Sequence, residues 1–148
     1  MIKLFSYAAC VPPGELLNGS SGFFSSPNFP SNFPLNSDCT WNITVPAGRV
    51  IKVTFFSFNL KPFDIKDCTG SSANAPRVFI TNVASDDQRQ NFQICGEQLP
   101  NPVYSDGSFI QVRLLSTSST RYKGFNASYE AIDEEQSKQY SITLRTFA

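Results

Sequence analysis

Prolines in one aromatic stretch limit the fold of this chain more than any other feature. The stretch GFFSSPNFPSNFPLNSDCTWNITVP contains Asn-Phe-Pro twice and then reaches a cysteine and the only tryptophan. Pro27, Pro30 and Pro34 exclude a helix, favour extended backbone in the residues before them and cannot lie in a central strand. We therefore predict an ordered, extended crossing in which Phe29 and Phe33 cover an edge or an end of the core.

Short segments in which apolar and polar residues alternate predict β-strands. They are TWNITV (40–45), RVIKVTFFSF (49–58), RVFITN (77–82), NFQIC (91–95), SFIQVRLL (108–115), FNASYEA (125–131) and YSITL (140–144). The second segment is apolar on both faces near its end, which indicates a central strand or a bulge. No apolar stripe of helical period persists for three turns. Ten prolines and eight glycines occur in the chain, and short strands separated by such residues predict an all-β sandwich or barrel.

Composition bounds the class of protein. A chain of 148 residues with 41% apolar and 16% charged residues has the size and the apolar content of one folded domain. Twelve basic residues balance twelve acidic ones without forming a basic stripe, which argues against nucleic acid as a partner. The apolar runs are too short for a membrane-spanning helix, so we expect no membrane insertion.

The cysteines indicate the compartment. Cys10, Cys39, Cys68 and Cys95 never form a Cys-x-x-Cys pair, and the chain contains no histidine, so a structural zinc site is disfavoured. Disulfides are the better interpretation, and four cysteines allow three connectivities. Disulfides persist outside the cytosol, so we expect a secreted protein or the ectodomain of a cell-surface protein.

Three Asn-x-Ser/Thr triplets are candidate N-glycosylation sites: Asn18, Asn42 and Asn126. Their number is close to what chance gives for a chain so rich in Asn, Ser and Thr. The alternation places Asn42 and Asn126 on the polar faces of predicted strands.

A family resemblance emerges from several motifs in one order. They are Ser-Pro-Asn-Phe-Pro after a Gly-Phe strand, Cys-x-Trp, a Val-Pro-x-Gly turn, the strand IKVTFFSF, RVFI, CGEQLP, SDGSFIQVRLLS and the terminal strand KGFNASYEAI. From roughly Cys10 to Ile132 the chain closely resembles a CUB domain. The resemblance implies a jelly-roll-like antiparallel β-sandwich of two sheets with the disulfides Cys10–Cys39 and Cys68–Cys95. It also implies an extracellular binding module rather than a catalyst.

Many CUB domains bind calcium through acids at one end of the sandwich. The positions that correspond to those acids here are Lys61, Arg77 and Thr117, and two cations and a hydroxyl do not form a calcium site. Asp64 or Asp67 could substitute, but Lys66 lies between them. We therefore expect no calcium at the family site and no other metal or cofactor.

The presence of cations at positions where the family pattern has acids suggests a binding hypothesis. Lys61 and Arg77, helped by Arg121 and Lys123, would present a cationic patch to an acidic protein or a sulfated glycan. Ordinary solvated loop charges are the competing interpretation and the commoner case.

No group of residues indicates an enzyme. Without histidine the usual general base is missing, and the nearest acid pairs, Asp64 with Asp67 and Asp86 with Asp87, read as turn residues. We expect no catalytic residues. Phe29, Phe33, Phe63 and Tyr104, in predicted loops, are either binding anchors or plugs at the ends of the core.

The domain organisation and the function are predicted together. Residues 1–9 are interpreted as an arm whose Met1 is a start residue placed before a mature or excised segment, residues 10–132 as the CUB-like domain, and residues 133–148 as a linker with an extra edge strand or the start of a neighbouring domain. The preferred function is a recognition or adhesion module that binds another protein, within a larger protein. A stand-alone, spermadhesin-like glycan-binding protein and the non-catalytic arm of a secreted protease are the alternatives.

Overall fold

The computed structural model describes residue 10 and residues 14–60, 76–84, 91–116 and 122–137, with only the backbone of residues 91 and 92. These residues form nine strands: β1 (Glu15–Asn18), β2 (Ser21–Ser25), β3 (Asp38–Thr44), β4 (Arg49–Asn59), β5 (Arg77–Thr81), β6 (Asn91–Ile94), β7 (Val103–Tyr104), β8 (Phe109–Leu115) and β9 (Gly124–Asp133). Every predicted strand inside the described ranges is present, whereas YSITL lies outside them.

The strands form two sheets that face each other across one core. One sheet has five strands in the order β1-β3-β8-β5-β6, and the other has four in the order β2-β9-β4-β7. Apolar residues alternate inward along β3 and β8, where Trp41 pairs with Val112 and Ile43 with Ile110. The two-sheet, all-β sandwich expected from the sequence is confirmed.

One pairing departs from the antiparallel pattern. β1 runs parallel to β3, with Glu15 opposite Trp41 and Asn18 opposite Thr44. The predicted disulfide between Cys10 and Cys39 is present, with a Cα–Cα distance of 4.9 Å. It ties the chain just before β1 to the beginning of β3, so both strands start at the same end and run in the same direction. Cys68 lies outside the described residues, and its pairing with Cys95 stays a prediction.

Aromatic rings fill the centre of the core. Phe125 contacts the rings of Phe24, Trp41, Phe55 and Phe58 at centroid distances of 5.9, 5.3, 5.6 and 6.5 Å. Phe55 and Phe58 both point inward because the ladder between β4 and β9 shifts register between Phe55 and Ser57. The aromatic end of RVIKVTFFSF is thus the bulge anticipated from its sequence.

The proline-rich stretch crosses one end of the sandwich, as predicted. Phe33 is fully buried and its backbone N–H donates to the carbonyl of Tyr122 at 3.0 Å, while Phe29 is half-buried. The hydroxyl of Ser26 accepts from the N–H of Phe125 at 2.9 Å. These bonds attach the crossing to the beginning of β9, so Phe33 plugs the core.

The placement of Tyr104 differs from the prediction, and a short helical turn after β9 was not predicted. Tyr104 lies in the short strand β7 rather than in a loop, paired with Lys52. At the other end of the chain, residues 134–137 form a helical turn. The N–H of Asp133 donates to Oε1 of Gln136 at 3.1 Å, which is half of a capping box.

Candidate binding surface

The strand directions bring Arg77 and Lys123, the two predicted binding residues that the structure describes, to one end of the sandwich. β3, β5 and β9 begin there, and β4 and β8 end there. The hydrogen bond from Leu60 N to Gly96 O, 2.8 Å, joins the ends of β4 and β6 across the sandwich, and the bond from Ser116 N to Ser37 O, also 2.8 Å, joins the ends of β8 and β3 within the five-stranded sheet. We call this region the cationic end and define it by Arg77, Arg113 and Lys123 together with Asp38.

Arg77 is the first residue of β5 and is half-buried on the outer face of the five-stranded sheet. It follows Pro76, which is fully buried, so the backbone that presents it is fixed. Its Nη1 donates to Oε1 of Gln93 on the neighbouring strand at 2.9 Å. A neutral amide oxygen therefore orients the guanidinium along the sheet.

Lys123 comes immediately before β9 and is exposed. Its carbonyl accepts from the Ser26 hydroxyl at 3.3 Å, so its backbone is fixed while its ammonium group reaches solvent. Arg77 belongs to the five-stranded sheet and Lys123 borders the four-stranded one, so the cationic end draws on both. Lys61 and Arg121 lie outside the described residues, and their part in the patch stays a prediction.

The sequence interpretation missed an ion pair at this end. Arg113 on β8 makes two hydrogen bonds to Asp38 on β3, from Nε to Oδ1 and from Nη2 to Oδ2, each 2.8 Å. These bonds lower the pKa of the Asp38 carboxyl, with partial burial opposing them, and they raise the pKa of Arg113. The alternation of its strand places Arg113 on the outer face, but it does not show which residue of the neighbouring strand lies beside it.

The described residues at this end do not fit a calcium ion. Arg77 places a guanidinium at the beginning of β5, where the family pattern has an acid, and it donates hydrogen bonds rather than offering oxygen ligands. Across the described ranges no three His, Cys, Asp or Glu side chains are grouped to hold a metal ion. Thr117, Asp64, Asp67, Asp86 and Asp87 lie outside those ranges.

Large exposed aromatic side chains occur on the outer face of the four-stranded sheet. Phe23 on β2 is 82% exposed, and Phe56, at the bulge of β4, is 53% exposed. Sequence reasoning did not single them out, although neighbouring residues of a strand point to opposite faces, so one of Phe23 and Phe24 had to face outward. The aromatics that were singled out and are described, Phe29, Phe33 and Tyr104, are half-buried or buried.

Comparison with known proteins assigns the family. A model of the CUB domain family matches residues 13–129. The chain belongs to the CUB domain family. Its structure also resembles that of the full extracellular region of zebrafish Gpr126/Adgrg6, with a TM-score of 0.68 and 26% sequence identity over 81% of this chain and 15% of that one.

Curated relatives of this CUB domain are much longer proteins. Procollagen C-endopeptidase enhancer 2 from Homo sapiens is 34% identical over 133 residues, which cover 86% of this chain and 29% of that protein. Cubilin from Sus scrofa is 32% identical over 134 residues, which cover 88% of this chain and 4% of that protein. The chain thus spans less than a third of the length of either relative.

Family membership gives a coarse functional class. CUB domains are generally non-catalytic modules that mediate protein–protein interactions, and the Cys10–Cys39 disulfide of this CUB domain is consistent with an extracellular protein. Within the described segments, no helix is long and apolar enough to cross a bilayer.

Proposed function

We propose that this CUB domain is a non-catalytic, extracellular recognition module that binds an acidic surface of another protein through its cationic end, within a larger secreted or cell-surface protein. The observation that carries the proposal is the placement of Arg77, in the five-stranded sheet, and Lys123, next to the four-stranded sheet, at one end of the sandwich. Family membership supports the protein-binding class.

The chemistry of the two cations favours a carboxylate-bearing partner. The guanidinium of Arg77 is already oriented by Gln93, so less conformational entropy is lost when it binds a carboxylate in a two-pronged geometry. Lys123 is solvated and adds mainly to electrostatic steering. Arg113 contributes less, because Asp38 already accepts two of its hydrogen bonds.

Binding through such cations requires no metal. A calcium ion next to Arg77 would be repelled by the guanidinium, and the group offers no oxygen ligand. We therefore include calcium independence in the proposed function. In this proposal the side chains of the protein itself supply the positive charge that binds the acidic partner.

Charge reversal tests the proposal. Arg77→Glu and Lys123→Glu are compared with the control Lys52→Glu, which makes the same charge change at a half-buried position near the beginning of β4, away from the cationic end. A poly-glutamate peptide is the probe of acidic protein surfaces, and heparin is the probe of sulfated glycans.

We expect Arg77→Glu and Lys123→Glu each to weaken poly-glutamate binding about tenfold, roughly 1.4 kcal/mol, and Lys52→Glu to have little effect. An equal loss of poly-glutamate affinity in all three variants would show that only the net charge of the protein matters. That result would overturn the assignment of binding to the cationic end. Binding of heparin without binding of poly-glutamate would favour the glycan-binding alternative instead.

A further inference from the structure

The three candidate glycosylation sites occupy very different environments in the fold. Asn18 is the last residue of β1 and is exposed, whereas Asn42 and Asn126 lie within β3 and β9 and are half-buried. All three have the required hydroxyl residue two positions later. The three sites therefore differ in solvent exposure, although they share the same sequence motif.

Asn18 stands in an open turn that carries the chain from one sheet to the other. Gly19 follows with a φ of 107°, and a Cβ atom built on it would meet nothing within 4 Å. The Tyr129 hydroxyl donates to the backbone carbonyl of Asn18 at 3.1 Å, so the turn is anchored through its backbone. Solvent surrounds the side chain, and an attached sugar has room.

Asn126 is in the opposite situation. Its Oδ1 is buried and has no hydrogen-bond partner among the described residues. An N-linked sugar forms a planar secondary amide, and the trans arrangement places the first sugar carbon on the same side of the Cγ–Nδ2 bond as Oδ1. That side is occupied by protein. Rotation of the Asn126 amide by 180° would exchange its two polar atoms, and Nδ2, to which the sugar is attached, would then be buried instead of Oδ1.

Asn42 is intermediate between these two cases. Its Oδ1 accepts from Nε2 of Gln111 on β8 at 2.8 Å. By the same amide geometry, a sugar on Asn42 would approach the side on which Gln111 binds. Glycosylation there requires that Gln111 move away.

We propose that Asn18 carries an N-linked glycan in the secreted protein and that Asn126 remains unmodified. In the transfer, Nδ2 of Asn18 forms a bond to the anomeric carbon of an oligosaccharide, the bond from that carbon to a lipid pyrophosphate breaks, and Nδ2 loses one proton. The proposal rests on the extracellular placement in the proposed function, because the lipid-linked donor belongs to the secretory pathway.

The position of Asn18 keeps the glycan away from the cationic end. Asn18 pairs with Thr44, the last residue of β3, and Asp38 at the cationic end is its first residue. Six strand steps separate Asp38 from Thr44 (44 − 38), about 20 Å at the usual rise per residue. Asn126 lies only two residues into β9, which begins at the cationic end, so a glycan there would stand beside the proposed binding surface.

The test uses the full chain secreted from mammalian cells behind a foreign leader peptide, followed by enzymatic deglycosylation and peptide mapping by mass spectrometry. Ser20→Ala removes the Asn18 motif without changing Asn18, and Ser128→Ala does the same for Asn126. We expect the Asn18 peptide to be modified in the wild type, to be unmodified in Ser20→Ala, and the glycan mass to be unchanged in Ser128→Ala.

An unmodified Asn18 peptide, or folded protein in which Asn126 is more fully modified than Asn18, would overturn the proposal. The leader carries the chain into the secretory pathway whatever its natural location, so this failure is distinct from failure of the proposed function. That function is checked on the Ser20→Ala protein, whose affinity for poly-glutamate we expect within about twofold of the wild type, about 0.4 kcal/mol.

Discussion

Replacement of Gly124 by alanine tests how the proline-rich crossing is fixed to the sandwich. Gly124 has a φ of 82°, and a Cβ atom there would lie 2.6 Å from Cβ of Ser26 and 3.3 Å from Cδ1 of Phe33. Left-handed backbone costs a residue with a Cβ about 1–2 kcal/mol, and overpacking of a buried site costs about 1–3 kcal/mol. Displacing Ser26 also weakens its hydrogen bonds to the backbone of Phe125, worth about 1 kcal/mol. We expect Gly124→Ala to lower the free energy of unfolding by roughly 3–6 kcal/mol.

Gly107→Ala is the matched control. Gly107 also has a positive φ, 106°, but a Cβ there would meet nothing within 4 Å, so its alanine variant should lose only about 1–2 kcal/mol. Urea unfolding of the oxidised protein gives both values, with fluorescence of Trp41 as the probe, since it is the only tryptophan and is 4% exposed. Adding Ser26→Gly to Gly124→Ala should reveal a coupling of at least about 1 kcal/mol. Equal losses in Gly124→Ala and Gly107→Ala, within about 0.5 kcal/mol, would show that contacts with Ser26 and Phe33 add nothing to the cost of the backbone conformation.

Two further predictions concern the ion pair and the disulfide. The folded-state pKa of Asp38 is lowered, so its contribution is fully present above the unfolded-state pKa, about 3.9, and is lost as the pH falls through the lower folded-state value. Asp38→Asn should therefore lower the free energy of unfolding by roughly 0.2–1 kcal/mol near neutral pH, as expected for a half-exposed ion pair, and should have no effect in strong acid. A loss of stability that does not change with pH would contradict this prediction. The double variant Cys10→Ser/Cys39→Ser removes a disulfide between residues 29 positions apart. It should lower the free energy of unfolding by about 3–4 kcal/mol. If urea unfolding shows that the free energy of unfolding falls by less than about 1 kcal/mol, the disulfide does not restrain the unfolded chain enough to stabilise the fold.

The strands were predictable because their residues face water on one side and the core on the other. Trp41, Ile43, Val112 and Leu114 show the alternation in the sequence and are buried in the structure. The crossing was predictable for a different reason, since proline restricts its own backbone and that of the residue before it. β1 was not predicted, because a four-residue edge strand exposed on most positions carries little apolar signal.

The binding surface was less predictable than the fold. Arg77 and Lys123 were singled out, and strand directions bring them to the same end. The pairing of Arg113 with Asp38 depends on register between β3 and β8, which alternation within one strand does not define. The exposure of Phe23 and Phe56 likewise depends on which face of each strand turns to the core.

Binding of poly-glutamate to the wild-type protein, measured first in EDTA and then with calcium chloride, tests whether the cationic end recognises acidic protein surfaces without calcium. We expect equal affinity in both solutions and an affinity that falls as the salt concentration is raised, because the cations of the protein make the contact. Binding that appears only with calcium, or that Arg77→Glu leaves unchanged, would contradict a calcium-independent recognition surface at the cationic end.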